Sequence, residues 1–156
     1  DSIGFKSISF DKSLCKEPVK ASDGKISVLL VEPNKYPKMI EIDDTLEAMQ
    51  AVVGGDIEEY MPFEDEVAII CNEEGKVNGL TPNRAVYEEN SREMLDIICG
   101  KFFVAYAPFE AERFQSLPPD LAEKYREKFK YPERFMRVNN EIVAVPFKPV
   151  RADKER

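Results

Sequence analysis

The chain has 156 residues, of which 43% are hydrophobic and 33% charged, and its formal net charge is −8. This length and composition fit one domain with a single packed core. There is no run of about 18 apolar residues, and the polar start lacks the apolar segment of a secretory signal. We therefore expect a cytoplasmic protein that does not cross a membrane.

Histidine is absent from the chain. This removes the commonest general base, the commonest zinc ligand and every Ser–His or Cys–His catalytic pair. The cysteines Cys15, Cys71 and Cys99 are widely spaced and form neither a disulfide framework nor a CxxC zinc motif. Cys71 and Cys99 each follow an Ile-Ile pair, which indicates buried thiols in a reducing compartment. We therefore expect no enzymatic activity, no metal site and no cofactor.

Charge is distributed unevenly along the sequence. Residues 39–75 contain twelve acidic residues and neither lysine nor arginine, whereas the remainder of the chain is net basic. An acidic front of this kind argues against direct binding of duplex DNA. It favours a protein partner with a basic surface.

The first part of the chain predicts an N-terminal arm followed by strands and one helix. Residues 1–24 alternate poorly and are interpreted as an arm. Lys25–Glu32 has the continuous apolar run of a central strand, and Lys38–Ile42 and Ile57–Met61 predict two further strands. Thr45–Val53 predicts an amphipathic helix, with an Asp-Asp-Thr cap at its start and a Gly-Gly pair at its end.

The next part predicts a hairpin and a long core strand. Val67–Asn72 is interpreted as a strand that turns at Glu73-Glu74-Gly75 and pairs with Lys76–Asn78. Asn83–Tyr87 is interpreted as a helical turn or a loop. Leu95–Tyr106 predicts the last core strand, with a bulge or a close backbone approach at Gly100.

The C-terminal part predicts a helix at Asp120–Phe129, ended by Tyr131-Pro132, and a further strand at Ile142–Val145. Together these patterns predict a single α+β domain. It contains a mixed or antiparallel sheet of about five strands, one helix packed on that sheet and a helical C-terminal region. The corresponding divisions are an arm (1–24), a core domain (25–130) and a C-terminal extension (131–156).

An ordered set of short motifs resembles a known family. The motifs include Val31-Glu32-Pro33, Val53-Gly54-Gly55, Asn72-Glu73-Glu74-Gly75-Lys76, Asn83-Arg84 and Asp96-Ile97-Ile98-Cys99-Gly100. Between about residues 25 and 130 they resemble the family called domain of unknown function 3846, found in phages, plasmids and conjugative elements of gut bacteria. The resemblance implies a small α+β domain in a mobile-element context, and it brings no activity, cofactor or catalytic residue.

Three polar residues are candidates for binding a small ligand: Asn72, Asn83 and Arg84. An arginine offers a bidentate fork for carboxylate or phosphate, and an asparagine offers both a donor and an acceptor. The alternative is structural: Asn72 and Asn83 cap turns, and Arg84 pairs with one of the upstream acids.

A group of five acidic residues is the candidate partner-binding face: Glu58, Glu59, Glu64, Asp65 and Glu66. Three interpretations stay open for this group. It is a solvated surface, or a face that binds a basic partner, or a pair of carboxylates serving catalysis or a divalent metal.

The leading functional hypothesis is a non-enzymatic accessory protein of a mobile element, with a regulatory or anti-defence role, that binds a protein through its acidic face. The first alternative is a domain that binds a nucleotide or another phosphate-bearing molecule, anchored by Arg84. The second alternative is a metal-dependent hydrolase that uses the acidic group. The sequence leaves the oligomeric state undetermined.

Overall fold

A computed structural model of the chain describes residues 24–149. The described residues form nine strands and two helices. In chain order these are β1 (Lys25–Val31), β2 (Lys38–Asp43), α1 (Leu46–Val53), β3 (Ile57–Tyr60), β4 (Val67–Asn72), β5 (Pro82–Tyr87), β6 (Met94–Cys99), β7 (Phe102–Tyr106), α2 (Pro119–Lys128), β8 (Glu133–Val138) and β9 (Glu141–Pro146). The N-terminal arm, apart from Gly24, and residues 150–156 of the C-terminal extension lie outside the described residues.

The main sheet has five strands in the order β2-β1-β7-β4-β3. Every neighbouring pair in it is antiparallel, which is one of the two arrangements that the sequence predicts. β1, β7 and β4 occupy the centre because their apolar runs can be buried on both faces. All six residues of β4 are buried, which explains why its sequence shows no polar alternation.

Both faces of the main sheet are covered. Successive residues of a strand point to opposite faces, so Ile69 and Ile70 contribute to two different apolar clusters. The Ile70 cluster also contains Met49 and Val53 of α1. The Ile69 cluster contains Tyr125 of α2 and Phe129 after it, together with residues of β5 and β6. The sheet is therefore the middle layer of three.

Helix α1 has the caps that the sequence predicts. The Oγ1 atom of Thr45 accepts a hydrogen bond from the Ala48 N–H at 3.1 Å. Gly54 adopts a left-handed conformation with φ of 82°, and its N–H donates to the Gln50 carbonyl oxygen. Glycine reaches this conformation without a Cβ penalty, so the helix ends there.

Three local predictions are wrong. Asn83–Tyr87 belongs to the strand β5, because Asn83 and Arg84 are buried polar residues whose pattern resembles a loop. Lys76–Asn78 lies in the turn after β4 and forms no strand. Leu95–Tyr106 is divided into β6 and β7 at Gly100, where a φ of 90° redirects the chain. As a result β6 pairs with β5, while β7 enters the main sheet.

The C-terminal extension contains the strand predicted at Ile142–Val145, as part of a two-stranded hairpin of β8 and β9. Its loop consists of Asn139 and Asn140, with φ of 53° and 70°. Positive φ at both loop residues matches the right-handed twist of the flanking strands, and asparagine tolerates it well.

Replacement of Gly100 tests the division between β6 and β7. A Cβ at Gly100 would lie 2.7 Å from Leu80 Cδ1 and would also sit at a φ of +90°. We expect Gly100→Ala to lower the free energy of unfolding by about 1–3 kcal/mol, measured by urea denaturation. Gly79→Ala is the matched control, because its φ is +74° but no atom lies within 4 Å of the added Cβ. An equal loss in both variants would show that the contact with Leu80 is unimportant.

Candidate functional site

Arg84 is fully buried, with a relative exposure of 0%. Its Nε donates to the Phe129 carbonyl oxygen at 3.0 Å, and its Nη2 donates to the Lys35 carbonyl oxygen at 2.8 Å. Its Nη1 donates to the Asn83 Oδ1 at 2.8 Å and has a longer contact of 3.4 Å with the Glu32 carbonyl oxygen. The guanidinium group therefore joins β5 to the loop after β1 and to the end of α2.

Asn83 completes this arrangement, which we call the Asn83–Arg84 network. Its Nδ2 donates to the carbonyl oxygens of Val31 at 3.0 Å and Gly100 at 2.9 Å. Asn83 is only 1% exposed. Since buried polar groups are costly unless paired, this network stabilises one specific position of β5 against the main sheet.

Burial lowers the pKa of Arg84 to about 10, with the Glu133 carboxylate acting in the opposite direction. The side chain is thus still a cation at neutral pH. Burial also raises the pKa of Glu133, whose Oε1 accepts a hydrogen bond from the Ala85 N–H at 2.9 Å. In this closed arrangement Arg84 presents no surface to a small anion, so its role as a ligand anchor stays a prediction.

The five acidic residues of the candidate partner-binding face are not side by side. Glu58 and Glu59 are neighbours in β3, so their side chains point to opposite sides of the sheet. Glu59 is buried, with 6% exposure, whereas Glu64 is exposed. Asp65 and Glu66 are half-buried and directly precede β4. Glu58 pairs with Cys71, near the opposite end of β4.

Asp65 is bound within the protein. Its Oδ2 accepts hydrogen bonds from Lys124 Nζ at 2.6 Å and Tyr125 Oη at 2.8 Å. These two donors hold the pKa of Asp65 below its ordinary value. Asp65 thereby links the loop before β4 to α2, and its carboxylate is already occupied by internal donors.

A cleft of about 230 Å³ lies between the turn after β4 and the strand β6. It is an open concavity with both polar and apolar walls. We call it the acidic cleft. Its lining residues are Glu58, Cys71, Asn72, Glu73, Glu74, Gly75, Lys76, Val77, Asp96, Ile97, Ile98 and Cys99.

The charges of the acidic cleft are unbalanced. Lys76 Nζ pairs with Asp96 Oδ1, which raises the pKa of Lys76. The pKa of Glu58 is raised, first by burial and then by repulsion from Asp96 and Glu73. One lysine thus faces several carboxylates, and the cleft attracts positive charge.

Asn72 and Gly75 shape the cleft from the turn side. The Asn72 Nδ2 donates to the Val53 carbonyl oxygen at 3.1 Å, and its Oδ1 accepts from the Glu74 N–H at 2.7 Å. Both ends of this amide are therefore used internally, as expected of a turn cap. A Cβ at Gly75 would lie 2.6 Å from the Cys99 carbonyl oxygen, so the turn and β6 approach closely only because this residue is glycine.

The two thiols of the cleft are protonated at neutral pH. Burial raises the pKa of Cys71 to about 12, and burial also raises the pKa of Cys99. Cys71 is buried as predicted, whereas Cys99 is only half-buried. Between residues 24 and 149, no group of three or more Asp, Glu or Cys side chains is placed to hold a metal ion.

Sequence reasoning includes Glu58 and Asn72 among the candidates but misses Lys76 and Asp96. Asp96 begins the apolar run Asp96-Ile97-Ile98-Cys99, which looks like the edge of an ordinary strand. Lys76 is predicted to lie in a strand, whereas the structure places it in a turn. The mixed charges of Glu73, Glu74 and Lys76 in one turn are the only local signal of this site.

The fold and the cleft define a small α+β domain, built on an antiparallel sheet, with an acidic concavity at one end of β4. The chain belongs to the family described as domain of unknown function (DUF3846), whose model matches residues 26–130. No curated protein and no solved structure shows a significant match to the chain. Neither helix within residues 24–149 is long and apolar enough to span a membrane.

Replacement of Arg84 tests whether the Asn83–Arg84 network is structural. Arg84→Met leaves the buried carbonyls of Phe129 and Lys35 without donors, so we expect a loss of about 3–5 kcal/mol in the free energy of unfolding. Arg126→Met, on the exposed side of α2, should cost less than about 1 kcal/mol. Parent-like stability of Arg84→Met in urea unfolding would show that the guanidinium group is free for another role.

Neutralisation of Glu58 tests the repulsion in the acidic cleft. The pKa of Glu58 in the folded protein lies above its ordinary value of 4.5. The carboxyl group therefore favours folding at pH values below 4.5, where it is protonated. This contribution to stability is lost as the pH rises through the folded-state pKa. Glu58→Gln should therefore be more stable than the parent at about pH 7 and equal to it at about pH 4.

Glu47→Gln is the control, since this exposed carboxylate in the first turn of α1 interacts favourably with the helix dipole and stabilises the helix. Its loss should slightly destabilise the protein at about pH 7. Urea midpoints at both pH values measure the effects. A destabilised Glu58→Gln at neutral pH would contradict the expected repulsion.

Proposed function

We propose that this domain is a non-enzymatic protein-binding module, and that its acidic cleft accepts a basic side chain of a protein partner. The observation that supports this most is the joint placement of Glu58, Glu73 and Asp96 around one open concavity. Glu58 is held there despite burial and the repulsion of its neighbours. Carboxylates maintained in an unfavourable environment are more frequent at functional sites than elsewhere on a surface.

The chemistry of the cleft fits an arginine or lysine side chain. A guanidinium or ammonium group would relieve the repulsion around Glu58 and could compete with Lys76 for Asp96. The neighbouring Glu73 and Glu74 are exposed and extend the negative potential around the opening. Such a field steers a basic surface toward the cleft and weakens as ionic strength rises.

The absence of histidine and the protonated thiols support a role in binding rather than catalysis. A regulatory or anti-defence role in a mobile element, inside the cytoplasm, is part of this proposal and rests on the family resemblance. Neither alternative is favoured by a specific observation. Binding of a nucleotide or other phosphate at Arg84 requires the Asn83–Arg84 network to open, and a hydrolase requires a metal group that the described residues do not form.

A defined peptide tests the proposal through the chemistry of the cleft itself. The probe is N-acetyl-Gly-Arg-Gly-amide, and the comparison is the same peptide with neutral citrulline in place of arginine. Amide NMR spectra of the full chain should show saturable shifts at Glu73 and Asp96 with the arginine peptide, at a Kd of about 1 mM, and none with citrulline.

Variants define the site of this binding. Glu58→Gln should weaken the arginine peptide by about threefold to tenfold, while Glu47→Gln, outside the cleft, should leave the Kd unchanged. Equal shifts with arginine and citrulline, or an unchanged Kd in Glu58→Gln, would contradict the proposal. Higher salt should weaken binding of the arginine peptide to the parent.

A further inference from the structure

The hairpin of β8 and β9 has one face on which four apolar side chains are exposed. In the register of this hairpin, Arg134 pairs with Val145, Met136 with Val143, and Val138 with Glu141. Directly opposed residues share a face. We call this set the outer face. Its apolar members are substantially exposed: Met136 45%, Val138 47%, Val143 38% and Val145 38%.

The opposite face of the hairpin is partly engaged with the domain. Glu133 accepts a hydrogen bond from the Ala85 N–H of β5, and Phe135 and Ala144 are half-buried, whereas Ile142, nearer the loop, is 45% exposed. The base is closed by the Phe147 N–H, which donates to the Pro132 carbonyl oxygen at 2.9 Å. The outer face is therefore held outward on a ribbon anchored at its base.

A two-stranded ribbon is only marginally stable in water without a packing partner. Four neighbouring apolar side chains on one face also form the kind of patch that marks an interaction surface. The matched family region ends at residue 130, so the hairpin lies outside it. These points make the outer face a candidate contact surface.

The charges of the outer face limit which partner would fit it. Arg134 lies at the base end and Glu141 at the loop end, separated by about 13 Å along the strands. Neither forms an ion pair with another described residue; the Arg134 guanidinium carbon lies 4.3 Å from the ring centre of Phe147. The face thus has an apolar centre, a cation at one end and an anion at the other.

We infer that the outer face is the contact of a homodimer, in which a second copy packs its own outer face in antiparallel orientation. A two-fold axis that lies in the interface plane, perpendicular to the strands, places Arg134 of each copy beside Glu141 of the other copy. The dimer therefore has two such pairs. Such a contact is isologous, so one patch supplies both halves. The parallel alternative would bring the two Arg134 side chains together and is disfavoured by their repulsion.

The predicted dimer is weak, because six side chains per copy bury less than the roughly 1,200 Å² of a stable interface. Sedimentation velocity of the full chain from about 1 to 500 µM should therefore show a monomer that converts to a dimer with a Kd between about 10 and 300 µM. A monomer at every concentration would overturn the inference. That result is also the one expected if residues 1–23 or a different protein cover the face.

Charge exchange tests the orientation of the two copies. Arg134→Glu and Glu141→Arg should each weaken the dimer by about tenfold or more, and the double variant should restore the parent Kd to within about threefold. Arg137→Glu, on the same strand but on the other face, is the matched control and should leave the Kd unchanged.

Thermal unfolding of each variant separates dimer loss from hairpin loss. Arg134→Glu also removes the stacking on Phe147, whereas Glu141→Arg leaves it intact. The inference fails if Glu141→Arg is folded like the parent and dimerises equally well. It also fails if the double variant, folded like the parent, does not recover the dimer.

Discussion

The buried hydrogen bonds of Asn83 and Arg84 hold the β5–β6 pair in place against the main sheet and α2. They fix β5 against the end of β1 and against the residue after α2. Because β6 is paired with β5, the same bonds also set the position of β6. β6 in turn carries Asp96 to the turn after β4, where the acidic cleft opens. A structural arginine thus positions a site in which it takes no direct part.

Polar residues in this fold fall into two physical groups. In the first, donors and acceptors are matched within the protein: Arg84 with main-chain carbonyls, and Asp65 with Lys124 and Tyr125. In the second, like charges are held together, as with Glu58 and Asp96. The first group stabilises the fold, since each buried polar atom has a partner. The second group costs stability, and the basic partner that we propose would relieve this cost.

Sequence reasoning succeeds where the determinants are local. The Thr45 cap and the Gly54 end define α1 within one short segment, and the continuous apolar run of β1 indicates its central place. Prediction from sequence fails where a structural feature depends on residues that are distant along the chain. Asn83 and Arg84 look like a loop until β1 and α2 supply their acceptors. The cleft depends on the approach of Gly75 to Cys99, which no local pattern shows.

The most direct test of the acidic cleft as a repulsive carboxylate site is an NMR titration of the Glu58 side-chain carboxyl carbon in the folded protein. The structure predicts a pKa above the ordinary 4.5, because of burial and the charges of Asp96 and Glu73. It also predicts that Asp96→Asn moves this pKa down toward the ordinary value. A Glu58 that titrates at or below 4.5, or that does not respond to Asp96→Asn, would contradict the presence of a repulsive carboxylate site in this cleft.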